Sequence, residues 1–176
     1  MKFLLVLASM LLLSACQPPI NSSEMMPLSS AYHNLSQKGL FQDNLIVRDV
    51  TVIPNTGSDG GGAVTEPQFR ETLNTALRMA DMSATDDAKA KYYLDANITE
   101  VVRDFIGFNM EATVACDYKV TNIKSNKQVF NESVRVPHEA GIADAFNGAV
   151  RQRLAAAYAA RENVTHAIKL LSRVKK

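Results

Sequence analysis

The most constraining feature of the sequence is the alternation of apolar and polar side chains over residues 110–121, the cleanest period-two pattern in the chain. The apolar members of this stretch are Met110, Ala112, Val114, Cys116, Tyr118 and Val120. The residues between them are mostly charged or hydroxylated: Glu111, Thr113, Asp117, Lys119 and Thr121. Because successive side chains of a β-strand point to opposite faces, the pattern predicts a strand with one buried and one solvated face.

Three further strands are predicted from β-branched composition and weaker alternation. Residues 45–53 are rich in valine and isoleucine, and residues 92–99 alternate apolar with polar side chains. Residues 129–136 alternate less cleanly because Glu132 falls on the apolar side, and Pro137 is expected to end the strand. A charge at such a position suits an edge strand, where it discourages pairing with other chains.

Two amphipathic helices are predicted from apolar residues spaced three and four apart. The first begins after Thr65, which can form a capping box with Gln68. The second covers residues 142–174 and includes Ile142 and Phe146 in its apolar stripe, with an alanine-rich middle that favours helix. At this length, a kink or break near Asn163 is an open alternative.

The element order is therefore β-α-β-β-β-α within a single globular domain, residues 43–176. Each helix has one apolar stripe, and the clearest strand has one apolar face. These features predict a two-layer α+β domain, in which two helices cover one face of a mainly antiparallel four-stranded sheet.

The first fifteen residues are typical of a secretory signal peptide. Lys2 precedes an apolar run over residues 3–13, and Ser14 and Ala15 provide a small-residue cleavage site. The run is shorter than the roughly 20 residues that a membrane span needs. We expect cleavage before Cys16 and, over residues 16–42, a flexible tether that contains several proline, serine and asparagine residues.

Leu13-Ser14-Ala15-Cys16 resembles the lipobox of bacterial lipoproteins. The resemblance implies covalent diacylglycerol on the sulfur of Cys16 and a third acyl chain, such as palmitate, on its amino group. Several acyl chains would hold the protein on a membrane, since each buried methylene contributes about 0.8 kcal/mol. An ordinary signal peptide with an incidental cysteine is the alternative.

Gln17 follows the cysteine, where an aspartate is the usual inner-membrane retention signal of enterobacterial lipoproteins. The resemblance therefore implies the outer membrane, with the domain facing the periplasm, while the inner membrane and the cell surface stay open as alternatives. The element order also resembles that of small envelope lipoproteins, which include the lipopolysaccharide-assembly lipoprotein and the auxiliary lipoproteins of lipid transporters.

Charge and cysteine content exclude several classes of function. Without residues 1–15 the chain loses only Lys2 among its charged residues, so 18 basic residues face 18 acidic ones. A neutral chain argues against a dedicated nucleic-acid binder, which normally has a basic excess. Only Cys116 follows Cys16, so no disulfide within the domain is expected.

Candidate residues for chemistry each have a structural alternative that the sequence favours. Cys116 lies on the apolar stripe and is expected to be a buried small hydrophobe rather than a nucleophile. His33, His138 and His166 show no metal-ligand spacing, and an acid–base pair of His138 with Glu139 is less expected than a solvated loop. The glycine-rich segment 56–62 lacks the ending of a phosphate-binding loop.

Residues 151–176 contain seven basic residues against one acid, Glu162. One interpretation is a solvated helix face whose last cations favour the negative end of the helix dipole. The other is contact with anionic lipid or an acidic partner. The candidate residues for that contact are Arg151, Arg153, Lys169 and Arg173.

These observations favour a lipid-anchored, non-enzymatic envelope protein that binds or scaffolds another envelope protein or lipid. No catalytic residue, metal or cofactor is expected beyond the lipid on Cys16. An accessory lipoprotein of a lipid or lipopolysaccharide transport system is one alternative. An enzyme with an unrecognised site is the other.

Overall fold

The computed structural model describes residues 20–32, 35, 39–53, 64–106 and 109–175, and of Phe105 and Ile106 only the main chain. Within these residues there are three α-helices, four strands and two short 3-10 helices. In chain order the α-helices and strands are α1 (Ser22–Met25), β1 (Leu45–Val52), α2 (Glu66–Met79), β2 (Tyr92–Ile106), β3 (Asn109–Asn122), β4 (Gln128–Ala140) and α3 (Gly148–Ser172). The predicted order is confirmed, and the short helix α1 is added to it.

The strands form one sheet in the order β1-β2-β3-β4. β1 pairs with β2 in parallel, whereas the other two pairs are antiparallel. α2 packs against β1, and α3 packs against β3 and β4. The predicted α+β class, with a mainly antiparallel four-stranded sheet and helices packed on it, is therefore confirmed.

The strand and helix directions define two ends of the domain. We call the upper end the part that holds the β2–β3 turn, the end of β4 at Ala140 and the start of α3 at Gly148. A Cβ on Gly148 would lie 3.3 Å from Cε of Met110, so this glycine allows α3 to start close to β3. The lower end holds the starts of β1 and β2, the β3–β4 turn and the end of α3.

The core lies between the sheet and the helices. The predicted apolar stripe of β3 supplies Val114, Cys116 and Tyr118, each fully buried. α3 faces them with alanines, which bring the helix backbone close to the sheet: Ala155, Ala156, Ala157, Ala159 and Ala160. At the lower end, Phe41 is buried with its ring edge-on to Tyr92 at 5.2 Å between centroids.

Two strands are longer than the sequence pattern predicts. The pairing of β2 shifts between Ile98 and Glu100, so Val101 replaces Glu100 on the buried face, and β2 then continues to Ile106. β4 continues through Pro137 to Ala140. β4 is an edge strand, and an edge strand tolerates the proline because one side of its backbone pairs with no neighbour.

The last helix starts later than predicted and does not break. Asn147 caps α3 by accepting from the amides of Ala149 and Val150, and Ile142 and Phe146 lie in the preceding loop instead of the helix. α3 then runs for 25 residues through Asn163. Asn163 is fully buried, and its side chain bonds to the sheet, which explains a polar residue on the packed face of the helix.

Residues 20–32 pack against the domain, which differs from the flexible tether expected over 16–42. Ile20, Met25 and Tyr32 are buried at 1%, 0% and 5% exposure, and α1 contacts both α2 and α3. These apolar residues are few and irregularly spaced, so no local sequence pattern predicts that the segment packs against the domain. Residues 16–19, which include Cys16, lie outside the described part of the chain.

Candidate functional site

The outward face of the sheet is a polar surface on which all four strands meet. On it, the Arg48 guanidinium donates from Nε to Oδ1 of Asp95 at 2.8 Å and lies 5.1 Å from the centre of the Tyr93 ring. The hydrogen bond to Asp95 is the main cause that raises the pKa of Arg48. β1 and β2 are therefore bridged by a bidentate ion pair whose components are exposed to solvent.

The next polar groups pair across neighbouring strands in the same way. Thr51 Oγ1 donates to Oδ1 of Asn97 at 2.8 Å, and Ser133 Oγ donates to Oδ1 of Asp117. Thr51, Asn97 and Asp117 line a groove of about 710 Å³ across all four strands, together with Arg48, Asp95, Lys119 and Asn131. We call this the open-face groove.

Above the groove, the outward face changes character. Arg135 on β4 forms a bidentate ion pair with Glu100 on β2, at 2.9 and 3.2 Å. This hydrogen-bonded pair lowers the pKa of Glu100. Thr113, expected on the wet face, is only 5% exposed because its pairing partners are Val102 and Pro137, so that part of the prediction is wrong.

Cys116 is a buried core thiol, as expected. Its side chain has no exposed surface, and desolvation by burial raises its pKa to about 12. A nucleophilic cysteine needs exposure and a low pKa, so this environment does not suit nucleophilic catalysis.

Asn163 is a buried polar residue on α3. From the sequence, it was considered only as a place where the helix could kink or break. Its Nδ2 donates to the main-chain oxygens of Val114 at 2.9 Å and Val134 at 2.7 Å. Its Oδ1 accepts from the hydroxyl of Tyr118 at 2.7 Å. These bonds satisfy every polar group of a buried network, which makes it a structural device rather than a site.

The structure divides the four basic residues proposed for anionic contact. Arg151 is 8% exposed, and its Nη1 donates to the main-chain oxygens of Ala145 and Phe146. Arg153 is also turned inward, with Nη2 2.8 Å from Oε1 of Glu24 on α1. Of the four, Lys169 and Arg173 alone lie exposed, near the lower end of α3.

Lys169, Arg173 and His166 share a shallow cleft of about 240 Å³ with Glu162, Thr165 and Val136. His138 pairs with Glu162 rather than Glu139, at 3.0 Å, and packs edge-on against Tyr158. Glu139 instead accepts from Asn109. Within the described residues, no group of three potential ligands could hold a metal ion.

Three of the candidates that the sequence offers fall outside the part of the chain that the structure describes. They are Cys16, His33 and the glycine-rich segment 56–62. Among the helices that are described, none has the length and apolar character that a membrane span requires.

No protein-family model matches the chain, and no curated protein matches it in sequence. Solved structures do resemble it. A DUF330-family protein from Xanthomonas campestris has a TM-score of 0.56 at 15% identity, covering 82% of this chain and 88% of that protein. This similarity shows a shared fold.

Two other solved structures resemble the chain at lower scores. The PelC dodecamer from Paraburkholderia phytofirmans has a TM-score of 0.49 at 11% identity and covers 81% of this chain and 96% of that one. A minor lipoprotein from Acinetobacter baumannii has a TM-score of 0.44 at 10% identity, with coverage of 73% and 92%.

The open-face groove is what the sequence analysis missed. The polar members of β2 and β3 were visible as the wet half of each alternation. Their pairing with β1 and β4 depends on strand order and register, which no local pattern provides.

Proposed function

We propose that this protein is a lipid-anchored, non-enzymatic component of the bacterial envelope that binds a partner through the open-face groove. The observation that carries the proposal is the groove itself, where polar side chains from all four strands meet on a face that α2 and α3 leave free. The lipobox supports the anchor, and the buried thiol of Cys116 argues against covalent catalysis.

The groove suits recognition better than chemistry because two of its carboxylates, Asp95 and Asp117, are held by hydrogen bonds from neighbouring strands. Arg48 pairs with Asp95, and the carboxylate of Asp117 accepts from Ser133. Donors and acceptors that are already held in place provide specificity with little rearrangement of side chains on binding, as in the polar part of many protein interfaces. On β3 and β4, Lys119 and Asn131 are the exposed members of the groove that a partner would contact.

The experiment is quantitative affinity capture from detergent-solubilised envelopes, with the tag after Lys176. Lys119→Glu reverses a charge in the groove, and Lys124→Glu makes the same change in the β3–β4 turn outside it. We expect wild type and Lys124→Glu to capture equal amounts of the same envelope component. Lys119→Glu should capture only a small fraction of that amount. Equal capture by all three would reject the groove as the docking surface.

The anchor is tested separately. Cys16→Ser should lose the acyl mass and move from the membrane fraction to the soluble periplasmic fraction. A variant that still sediments with membranes, together with wild type that carries no lipid by mass spectrometry, would contradict the lipoprotein assignment.

Contact between an acidic partner and the lower end of α3 is a further part of this proposal. Only Lys169 and Arg173 are suited to it, because Arg151 and Arg153 are already bonded within the domain. Reversing Lys169 and Arg173 to Glu should weaken capture most at low salt, since exposed charges are screened beyond about 10 Å at 0.1 M. Unchanged capture at every salt concentration would reject this contact and would mean that Lys169 and Arg173 belong to a solvated helix face.

An accessory role in lipid or lipopolysaccharide transport is the alternative that the element order suggested. It requires a bound lipid besides the covalent anchor. Organic extraction of the purified Cys16→Ser protein, followed by mass spectrometry, separates the two functions: a stoichiometric glycolipid or phospholipid favours transport, and its absence favours the binding component.

A further inference from the structure

The segment that precedes β1 descends along α3 from the upper half of the domain to its lower end. Three contacts mark its path: Glu24 to Arg153, Tyr32 to Thr165, and the amide of Leu40 to the oxygen of Val174. At 1.5 Å per residue, Arg153 and Thr165 are separated by about 18 Å along the axis of α3. Val174 follows just after the end of the helix at Ser172. Followed backwards, the chain therefore points toward the upper end.

The start of this segment is firmly held. The side chain of Ile20 is 1% exposed, and its main-chain oxygen accepts from the side-chain amide of Gln68 on α2. Only four residue steps separate Ile20 from Cys16, which span at most about 14 Å when fully extended. Arg153, beside α1, lies about 8 Å along the helix from Gly148. Cys16 can therefore reach the level of the upper end, and it cannot hold the domain far from a bilayer.

The loop between β4 and α3, at the upper end, presents apolar side chains to solvent. Phe146 is 94% exposed and Ile142 is 53% exposed. The loop backbone is nevertheless fixed: Arg151 donates to the oxygens of Ala145 and Phe146 at 2.9 and 2.8 Å. The exposed aromatic ring is therefore held at this end by a loop whose backbone is fixed by hydrogen bonds.

We propose that the upper end of the domain lies against the bilayer that holds the anchor, with the Phe146 and Ile142 side chains in the headgroup region. The inference rests on the proposed acylation of Cys16. The short link brings a bilayer to the same end that carries the exposed ring, and apolar side chains such as phenylalanine and leucine are typical where a protein inserts into the boundary between headgroups and acyl chains.

The charges on the two ends agree with this orientation and specify the lipid. Four carboxylates outnumber Arg103 at the upper end: Asp104, Glu111, Glu139 and Asp144. Because anionic headgroups would repel them, the structure favours an electrically neutral bilayer surface. Lys169 and Arg173 lie about 24 and about 30 Å along α3 from Arg153, so the exposed cations face away from the membrane.

The test uses the full-length acylated protein in phosphatidylcholine vesicles that contain a headgroup-nitroxide lipid. An environment-sensitive fluorophore is attached through Ala143→Cys at the upper end or through Ser125→Cys in the β3–β4 turn, both exposed positions. Cys116 has no exposed surface and does not take the label. We expect several-fold stronger nitroxide quenching at position 143 than at position 125. Phe146→Ser combined with Ile142→Ser should reduce the quenching at position 143.

The other outcomes each overturn the proposal and are distinguishable. Equal quenching at both positions, on protein that floats with the vesicles, rejects the orientation while the anchor stands. A label at position 143 that is shielded from aqueous iodide but not quenched by the lipid nitroxide means that a protein covers the loop instead. Protein that neither floats nor carries acyl mass rejects the anchor at Cys16, and the orientation with it.

Discussion

At the residue scale, single buried polar groups fix how the two layers meet. Asn163 joins α3 to β3 and β4 through two main-chain oxygens and the hydroxyl of Tyr118. Because an amide can satisfy all of these groups only in one helix position, the network selects a single register of α3 on the sheet. The sequence placed Cys116 in the core correctly, since alternation shows which face is buried. It could not show that Val102 and Pro137 would cover Thr113.

Asn163→Ala should therefore destabilise the domain by about 2–4 kcal/mol, because it leaves buried polar groups without partners. His166→Ala, at an exposed position on the same helix, should change the free energy of unfolding by less than about 0.5 kcal/mol. Urea unfolding measures both values. Equal effects of the two substitutions would contradict the buried network.

The buried thiol of Cys116 should make the stability of the domain depend on pH. Burial raises its pKa to about 12, above the value of about 8.5 that a thiol has in an unfolded chain. Stability from this group is complete below pH 8.5 and is lost as pH rises toward 12, because only the unfolded state then releases the proton. Between pH 8 and 10, wild type should lose about 2 kcal/mol more than Cys116→Ala. Parallel pH profiles for the two proteins would show that the thiol titrates normally.

At the element scale, regular segments were predictable and interruptions were not. β3 has the clearest alternation in the sequence, and its observed bounds differ from the prediction by one residue at each end. The bulge after Ile98 shifts the alternation of β2, and the edge position of β4 removes the usual effect of Pro137. Strand order and pairing decide both features, and these depend on residues far away in the chain.

α1 provides the clearest test at this scale, because a tether and a docked segment respond differently to truncation. Met25 is fully buried between the helices, whereas Leu28 is 59% exposed. Met25→Ala should cost about 2–4 kcal/mol of stability through lost burial and a cavity. Leu28→Ala should cost less than about 0.5 kcal/mol. The comparison is made by urea unfolding of the Cys16→Ser protein. A negligible effect of Met25→Ala would favour the original interpretation of this segment as a flexible tether.

At the scale of the whole molecule, the docking of residues 20–32 bears on what the proposed anchor at Cys16 would do. A flexible link over 16–42 would let the domain tumble well above the bilayer. Because Ile20 is buried, at most four residue steps would separate the proposed anchor from the domain, and the anchor would then restrict the orientation of the domain. The open-face groove then has a restricted height above the membrane, which limits the partners that can reach it.

Lengthening the link should separate attachment from orientation. Twelve Gly/Ser residues inserted after Gln17 give a flexible link with an average span of about 22 Å. Neutron reflectometry of the acylated protein on a supported phosphatidylcholine bilayer measures the water layer beneath the domain. We expect no water layer thicker than about 14 Å for wild type, because four extended residues span no more. The insertion variant should show a thicker and more diffuse layer at the same surface density. Identical profiles for the two proteins would mean that something other than the short link sets the height of the domain.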